Sequence, residues 1–178
     1  MATTKHTIVA LVADKPGVLN RMASLFRRRG FNIDSIAVGH SEVPHLSRMT
    51  IVVNGSTATV EQVRKQVDKV VDVVKVTDIT GENSTVRELA LIKVRATSAN
   101  RGEIIEIADI FRASIVDVSA DSLTIEITGD EDKIESMLKL LRGFGIREIA
   151  RTGRIAMVRG GKGLLAGSEK QTRTGSKQ

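Results

Sequence analysis

No cysteine occurs among the 178 residues, which excludes a disulfide framework, a thiolate nucleophile and a thiolate metal site, and is compatible with a reducing cytoplasm. Tryptophan and tyrosine are absent too, and phenylalanine occurs only at positions 26, 31, 111 and 144. A surface that reads nucleic acid by stacking bases on aromatic rings therefore has almost nothing to build with. The longest apolar runs are far too short to cross a bilayer. The segment Met1-Ala2-Thr3-Thr4-Lys5-His6-Thr7 lacks the apolar region of a secretory signal, so export is not expected and a cytoplasmic location is. Asn54-Gly55-Ser56 and Asn83-Ser84-Thr85 match glycosylation acceptors, which carry no meaning without export.

What is present is ordinary hydrophobic content, 41%, and a net charge of +6. Half of that excess lies beyond Gly160, where Lys162, Lys170, Arg173 and Lys177 face only Glu169. The stretch from Gly160 to Gln178 has little to bury and reads as a disordered basic tail, so the charge is weak evidence for nucleic acid. The remaining length suits two small domains better than one of medium size.

A local signal stands out at Leu11-Val12-Ala13-Asp14-Lys15-Pro16-Gly17-Val18-Leu19, where an apolar strand breaks into Asp-x-Pro-Gly and enters an amphipathic helix. Pro16 fits the first helical turn and Gly17 lets a ligand approach the backbone. Free amides and the positive helix end attract a carboxylate, while Asp14 offers a negative group to an ammonium. Free amino acids carry both groups. The competing reading makes Asp14 an N-cap and Gly17 a packing glycine.

The periodicity predicts β-α-β-β-α-β twice. In the first pass, strands at 7–13, 31–38, 46–53 and 71–79 flank a helix at 17–29, ended by Gly30, and a helix marked by Val60, Val63, Val67 and Val70. Thr80-Gly81-Glu82-Asn83-Ser84 reads as a linker. In the second, strands at 89–96, 115–119, 122–128 and 146–150 flank a helix at 102–112 and one marked by Ile134, Met137, Leu138 and Leu141. Ala23–Arg27 resembles Ala108–Arg112, and the element order repeats with it, so a duplication is expected. The fold class is α+β, two ferredoxin-like domains in tandem, 1–81 and 82–159. Open four-stranded sheets leave edges to cover, and a homodimer paired through them is expected. The second copy has Thr97-Ser98-Ala99-Asn100-Arg101-Gly102 where the first has its Asp-x-Pro-Gly, which assigns the ligand site to the first copy.

Four segments together carry a resemblance to a known family: Leu25-Phe26-Arg27-Arg28-Arg29-Gly30-Phe31-Asn32-Ile33-Asp34-Ser35, Leu46-Ser47-Arg48-Met49-Thr50-Ile51, the stretch from Lys69 to Val76, and the stretch from Arg87 to Val94. Over about residues 5–159 the chain resembles the small regulatory subunit of acetolactate synthase, also called acetohydroxyacid synthase. The resemblance implies an N-terminal ACT domain that pairs with its copy in a second chain and binds a branched-chain amino acid, usually valine, between them. It also implies no catalysis by this chain and no cofactor of its own. The partner would be a separate catalytic subunit using thiamine diphosphate and magnesium, with FAD a further candidate. That subunit would be activated and made sensitive to feedback.

On the positions here, Asp14 and Gly17 would face the ligand's polar end, Val18 and Leu19 would continue the loop, and Asn32 with Ile33 would come from the neighbouring chain. Some members of the family carry an amide where this chain has Asp14; an acid there pairs more strongly with an ammonium but costs more to desolvate. Asn32 also suits its turn for local geometry, and Leu19 and Ile33 fit a core better than a specificity pocket.

Other patterns are weaker. His40, Glu42 and His45 match no standard metal spacing and read as a solvated loop. Arg159-Gly160-Gly161-Lys162-Gly163 lacks the spacing and the hydroxyl of a phosphate loop. Asp130-Glu131-Asp132 reads as a helix cap and dipole complement. Two alternatives from other classes stand beside the family reading: an independent amino-acid sensor with some other partner, and an RNA-binding module of the same element order.

Overall fold

The computed structural model describes residues 4–161, 163 and 164. The first half comprises β1 (Thr4–Ala13), α1 (Val18–Arg28), β2 (Ile33–His40), β3 (Leu46–Gly55), α2 (Thr57–Val67) and β4 (Val73–Asp78). Its strands form a four-stranded sheet in the order β2-β3-β1-β4, every pairing antiparallel. The second half repeats the order with β5 (Ser84–Arg95), α3 (Arg101–Ile110), β6 (Ser114–Val118), β7 (Ser122–Gly129), α4 (Glu131–Leu141) and β8 (Ile146–Arg151), in a sheet ordered β6-β7-β5-β8. The fold is thus the expected tandem of ferredoxin-like βαββαβ units.

Each sheet packs its helices on one face. Ile8, Ala10 and Val12 of β1 join Met22, Phe26, Ile51 and Val63 in the first core, while Ala90, Ile92 and Val94 of β5 join Ile104, Ile125 and Met137 in the second. The helix starts follow local chemistry: Ser56 caps α2 by accepting from the Thr59 amide at 3.3 Å, and Asp130 caps α4 by accepting from Lys133 N at 2.9 Å. That cap bears out the reading of the Asp130 cluster.

Two helix ends fix the internal repeat. At the end of α1 the Phe31 amide donates to Phe26 O and Gly30, at φ +69°, donates to Arg27 O; at the end of α3 the Ala113 amide donates to Ala108 O and Arg112, at φ +51°, to Asp109 O. Gly30 therefore corresponds to Arg112 and Phe26 to Ala108. The match of Ala23–Arg27 to Ala108–Arg112 is displaced by nearly one turn, because apolar spacing recurs every turn whereas a stop signal occurs once.

Two further expectations change. Ser84 opens β5 instead of closing a linker, and an additional strand, β9 (Ile155–Val158), follows β8. β9 pairs with Ser84–Arg87 of β5, and together they lie on the outer face of the first sheet, where Val9, Ile79 and Ala156 form a third buried cluster with Val86, Val158 and Leu164 against it. Covered on both faces, β1 carries the continuous buried run Ile8-Val9-Ala10-Leu11-Val12, whereas β5 alternates, with Leu91 and Lys93 on an open face. Most of the expected basic tail, Lys162 and everything from 165 onward, lies outside the described residues.

Polar contacts reinforce this docking. Glu131 at the start of α4 accepts from Lys5 of β1 and from Arg154 Nη2 at 2.8 Å, and Arg154 Nη1 reaches Thr7 Oγ1 at 3.2 Å. Lys5 also lies 3.8 Å from Asp34. The Lys5 contact, with Arg154 and Arg151 nearby, holds the Glu131 carboxyl below the ordinary carboxylate value. The Asp130 cluster thus does more than cap a helix.

Candidate functional site

The turn after β1 departs from the expected helix start. Pro16 lies outside α1, in a turn, and the N-cap is Gly17 at φ +88°, with no side-chain cap. Asp14 is therefore not the N-cap. A β-carbon at Gly17 would meet nothing within 4 Å, so the glycine is required by its left-handed backbone and not by packing. Among the described residues, the amides of Gly17, Leu19 and Asn20 have no acceptor, while Arg21 N donates to Gly17 O. A free cluster of N–H groups at a helix start favours an anion.

Asp14 is anchored from the β2–β3 hairpin. Its amide donates to His45 O at 2.8 Å, and its carboxylate lies 3.3 Å from His40 Nδ1 while remaining half exposed. The loop of His40, Glu42 and His45 is exposed, as its reading as a solvated loop expects, and it touches the candidate turn through the His45 carbonyl and the His40 ring. The register explains why: Ala13 pairs with Leu46 and His40 with Ser47, so the end of β1 and the β2–β3 loop share one end of the sheet. Nothing in local sequence carries that information. Among the described residues, no group of three or more His, Asp or Glu side chains is placed to hold a metal ion.

The other named residues divide. Val18 is 4% exposed and belongs to the core, so only its backbone faces the turn; Leu19 is 50% exposed, contrary to its reading as a core residue. Ile33 packs at the edge of the first core, as expected. Ile33 pairs with Val53, which faces His6, placing Asn32 and Ile33 about seven β-residues, or roughly 23 Å, from Ala13 within the chain. The structure therefore assembles Asp14, Gly17, Val18 and Leu19, and leaves Asn32 and Ile33 at the opposite end of the sheet.

The second half differs at the equivalent position. Its equivalent turn is closed by Arg101, whose Nη2 donates to Ser119 O at 2.7 Å and to Ala120 O at 2.9 Å. The hairpin contact is retained, with Ala96 N donating to Asp121 O at 3.0 Å in place of Asp14 N to His45 O. A guanidinium tied to the loop stands where the first half presents an exposed leucine.

A base-stacking sheet would need aromatic rings on an open sheet face. All four phenylalanines pack into the two cores, and β9 covers the face of the first sheet on which bases would stack.

Comparison with known proteins decides the family. Residues 8–75 match the AHAS small subunit-like ACT domain and residues 87–160 match the small subunit of acetolactate synthase. The chain is 60% identical over 158 residues to the probable acetolactate synthase small subunit of Archaeoglobus fulgidus, covering 89% of this chain and 99% of that protein. This chain belongs to the acetolactate synthase small-subunit family. The small subunit of Mycolicibacterium smegmatis is 52% identical over 164 residues, 92% of this chain and 96% of that one. The crystal structure of the acetolactate synthase small subunit from Thermotoga maritima superposes with a TM-score of 0.82 at 48% identity, covering 89% of this chain and 99% of the other. The chain is accordingly a regulatory small subunit with an ACT domain, and a small subunit implies a catalytic subunit as its partner. No helix among the described residues is long and apolar enough to cross a membrane.

Proposed function

We propose that this subunit senses a branched-chain amino acid, valine foremost, and passes its binding to a thiamine-diphosphate-dependent catalytic subunit that it also activates. The observation that carries the reading is the Gly17 turn, where three amides without an acceptor among the described residues, a half-exposed carboxylate on Asp14 and an exposed Leu19 meet at one end of the sheet. A ligand carboxylate faces the amides, its ammonium faces Asp14, and Leu19 flanks its side chain.

Asn32 and Ile33 are too distant to join that turn in their own chain. A two-fold pairing of β2 edges brings the partner chain's copies of these two positions to it, which makes the functional unit a homodimer. Feedback then follows by linkage: an amino acid that binds one dimer arrangement better shifts the population away from the arrangement the catalytic subunit prefers. The division into 1–81 and 82–159 assigns sensing to the first unit, with Arg101 closing the second. Catalysis, with its thiamine diphosphate, magnesium and any FAD, belongs to the partner.

Isothermal titration of the full chain with valine, leucine, isoleucine and alanine tests the reading. Saturable binding of valine is expected, lost in Gly17→Asp and retained in Gly17→Asn. Asparagine tolerates the left-handed backbone and adds no charge, so this pair separates ligand repulsion from strain. With the reconstituted holoenzyme, Gly17→Asp is expected to remain activating while valine inhibition disappears. Equal valine inhibition of mutant and wild type overturns the assignment.

A further inference from the structure

A sizeable opening lies away from the Gly17 turn. It is a cavity of about 800 Å³ between the outer face of β2–β3 and the strand β9 with the start of β5. Its walls are apolar, with Ile155 and Met157 more than half exposed to it and to solvent. Its charged residues are all of one sign: Arg48, Arg87 and Arg159, with no aspartate or glutamate in the lining. Arg48 is half-buried and spends Nη2 on Ala156 O at 2.7 Å; burial pulls it below the ordinary arginine value against the opposing field of Glu42, so the anion-binding role falls to Arg87 and Arg159. Arg159 has no side-chain partner among the described residues, and Arg87 has only the carbonyl of its neighbour Val86.

Apolar walls with a few convergent charged groups and a volume of this size match the general character of small-molecule sites. The free amino acid expected at the Gly17 turn is far too small to fill it. Guanidinium forks pair with carboxylate and phosphate oxygens alike. We propose that this cavity binds an amphipathic anion, an apolar body of many more atoms than an amino acid side chain carrying a carboxylate or phosphate group. The apolar body lies on Ile155 and Met157, and the anionic group meets Arg87 and Arg159. The cavity touches strands of both halves, so its occupant bears on their docking, and His40 connects it to Asp14.

The test uses the full chain and 8-anilinonaphthalene-1-sulfonate as probe, followed by fluorescence, with uncharged N-phenyl-1-naphthylamine as comparison. One saturable site is expected for the sulfonate, weakened about tenfold or more in the exposed double variant Arg87→Ala/Arg159→Ala, the loss of about 1.4 kcal/mol or more. The unfolding midpoint of that variant is expected to match wild type. Met157→Asp provides a second variant that places a like charge against the anion, with the same expected loss. Displacement by decanoate or by decyl phosphate supports the proposal and names the anionic group by whichever competes better. Equal binding of the uncharged analogue, a sulfonate affinity within about twofold of wild type in the double variant, or no displacement by either competitor overturns it.

Discussion

Gly153 stands directly against Ser35: a β-carbon at Gly153, whose φ is +80°, would lie 3.1 Å from Ser35 Cβ. The adjoining Arg154 amide donates to Ser35 Oγ at 3.4 Å. The turn between β8 and β9 thus rests on β2, the strand expected to meet a second chain. Gly153→Ala combines a strained backbone with a steric collision and is expected to cost about 1–3 kcal/mol. Chemical denaturation gives the magnitude, and hydrogen exchange is expected to rise in β9 and in Ser35–Ile36. Ser35→Gly in the same chain relieves the collision alone, so partial recovery is expected; full recovery would show that the backbone angle contributes nothing.

Acid should loosen the two halves. The Glu131 carboxyl has its folded value depressed, first by Lys5, so its contribution is present above the unfolded value near 4.5 and is lost as pH falls through the folded value. Thermal unfolding followed downward from pH 5 is expected to show a destabilisation that Glu131→Gln flattens. An identical pH profile in that variant would assign the slope to other carboxylates. Glu61, held at about 2 chiefly by its hydrogen bond to Arg64, titrates in the same direction but is half exposed and, among the described residues, bonds only within α2, and its replacement is expected to leave domain docking unchanged.

Arg101→Ala releases two carbonyls of the β6–β7 loop from a charged donor. A loss of about 1.5–3 kcal/mol is expected, with faster exchange confined to residues 119–121 and the α3 start. Valine affinity, on the reading that sensing belongs to the first half, is expected to stay unchanged in calorimetric titration.

Phe26 and Leu19 lie on the same helix and should behave oppositely. Phe26 is 1% exposed in the first core, and Phe26→Ala is expected to cost about 3–5 kcal/mol in denaturant unfolding. Leu19→Ala, at a half-exposed position, is expected to shift stability by no more than about 0.5 kcal/mol while weakening valine binding. Unchanged valine affinity in Leu19→Ala would remove that side chain from the ligand's surroundings.

The strand and helix order was legible because each element announces its own period: the alternation around Leu123, Ile125 and Ile127 and the three-four spacing of Val60, Val63 and Val67 need no tertiary information. The start of the candidate turn was legible for the same reason, since Pro16 and Gly17 act on local backbone angles. Their detailed placement was not. Proline suits either a turn or a first helical position, and only the left-handed Gly17 decides between them. The contact of His40 with Asp14 was not legible because it arises from strand register, which no short segment encodes. β9 was missed because four residues lacking an edge to pair with carry no signal of their own. That edge is supplied by Ser84–Arg87, more than sixty residues earlier in the chain. Arg154, Lys5 and Glu131 are individually unremarkable surface residues, brought together only when the halves dock.

The strand β5 serves both halves without interruption. Its first four residues pair with β9 over the outer face of one sheet, and its remaining eight form an inner strand of the other. A flexible tether would allow the halves to rotate independently, whereas twelve extended residues, roughly 40 Å long, behave as a beam clamped at each end. Any tilt imposed at Ser84 must reappear at Arg95 or bend the beam near Glu88, where Arg151 holds it through a pair of hydrogen bonds at 2.5 and 3.0 Å.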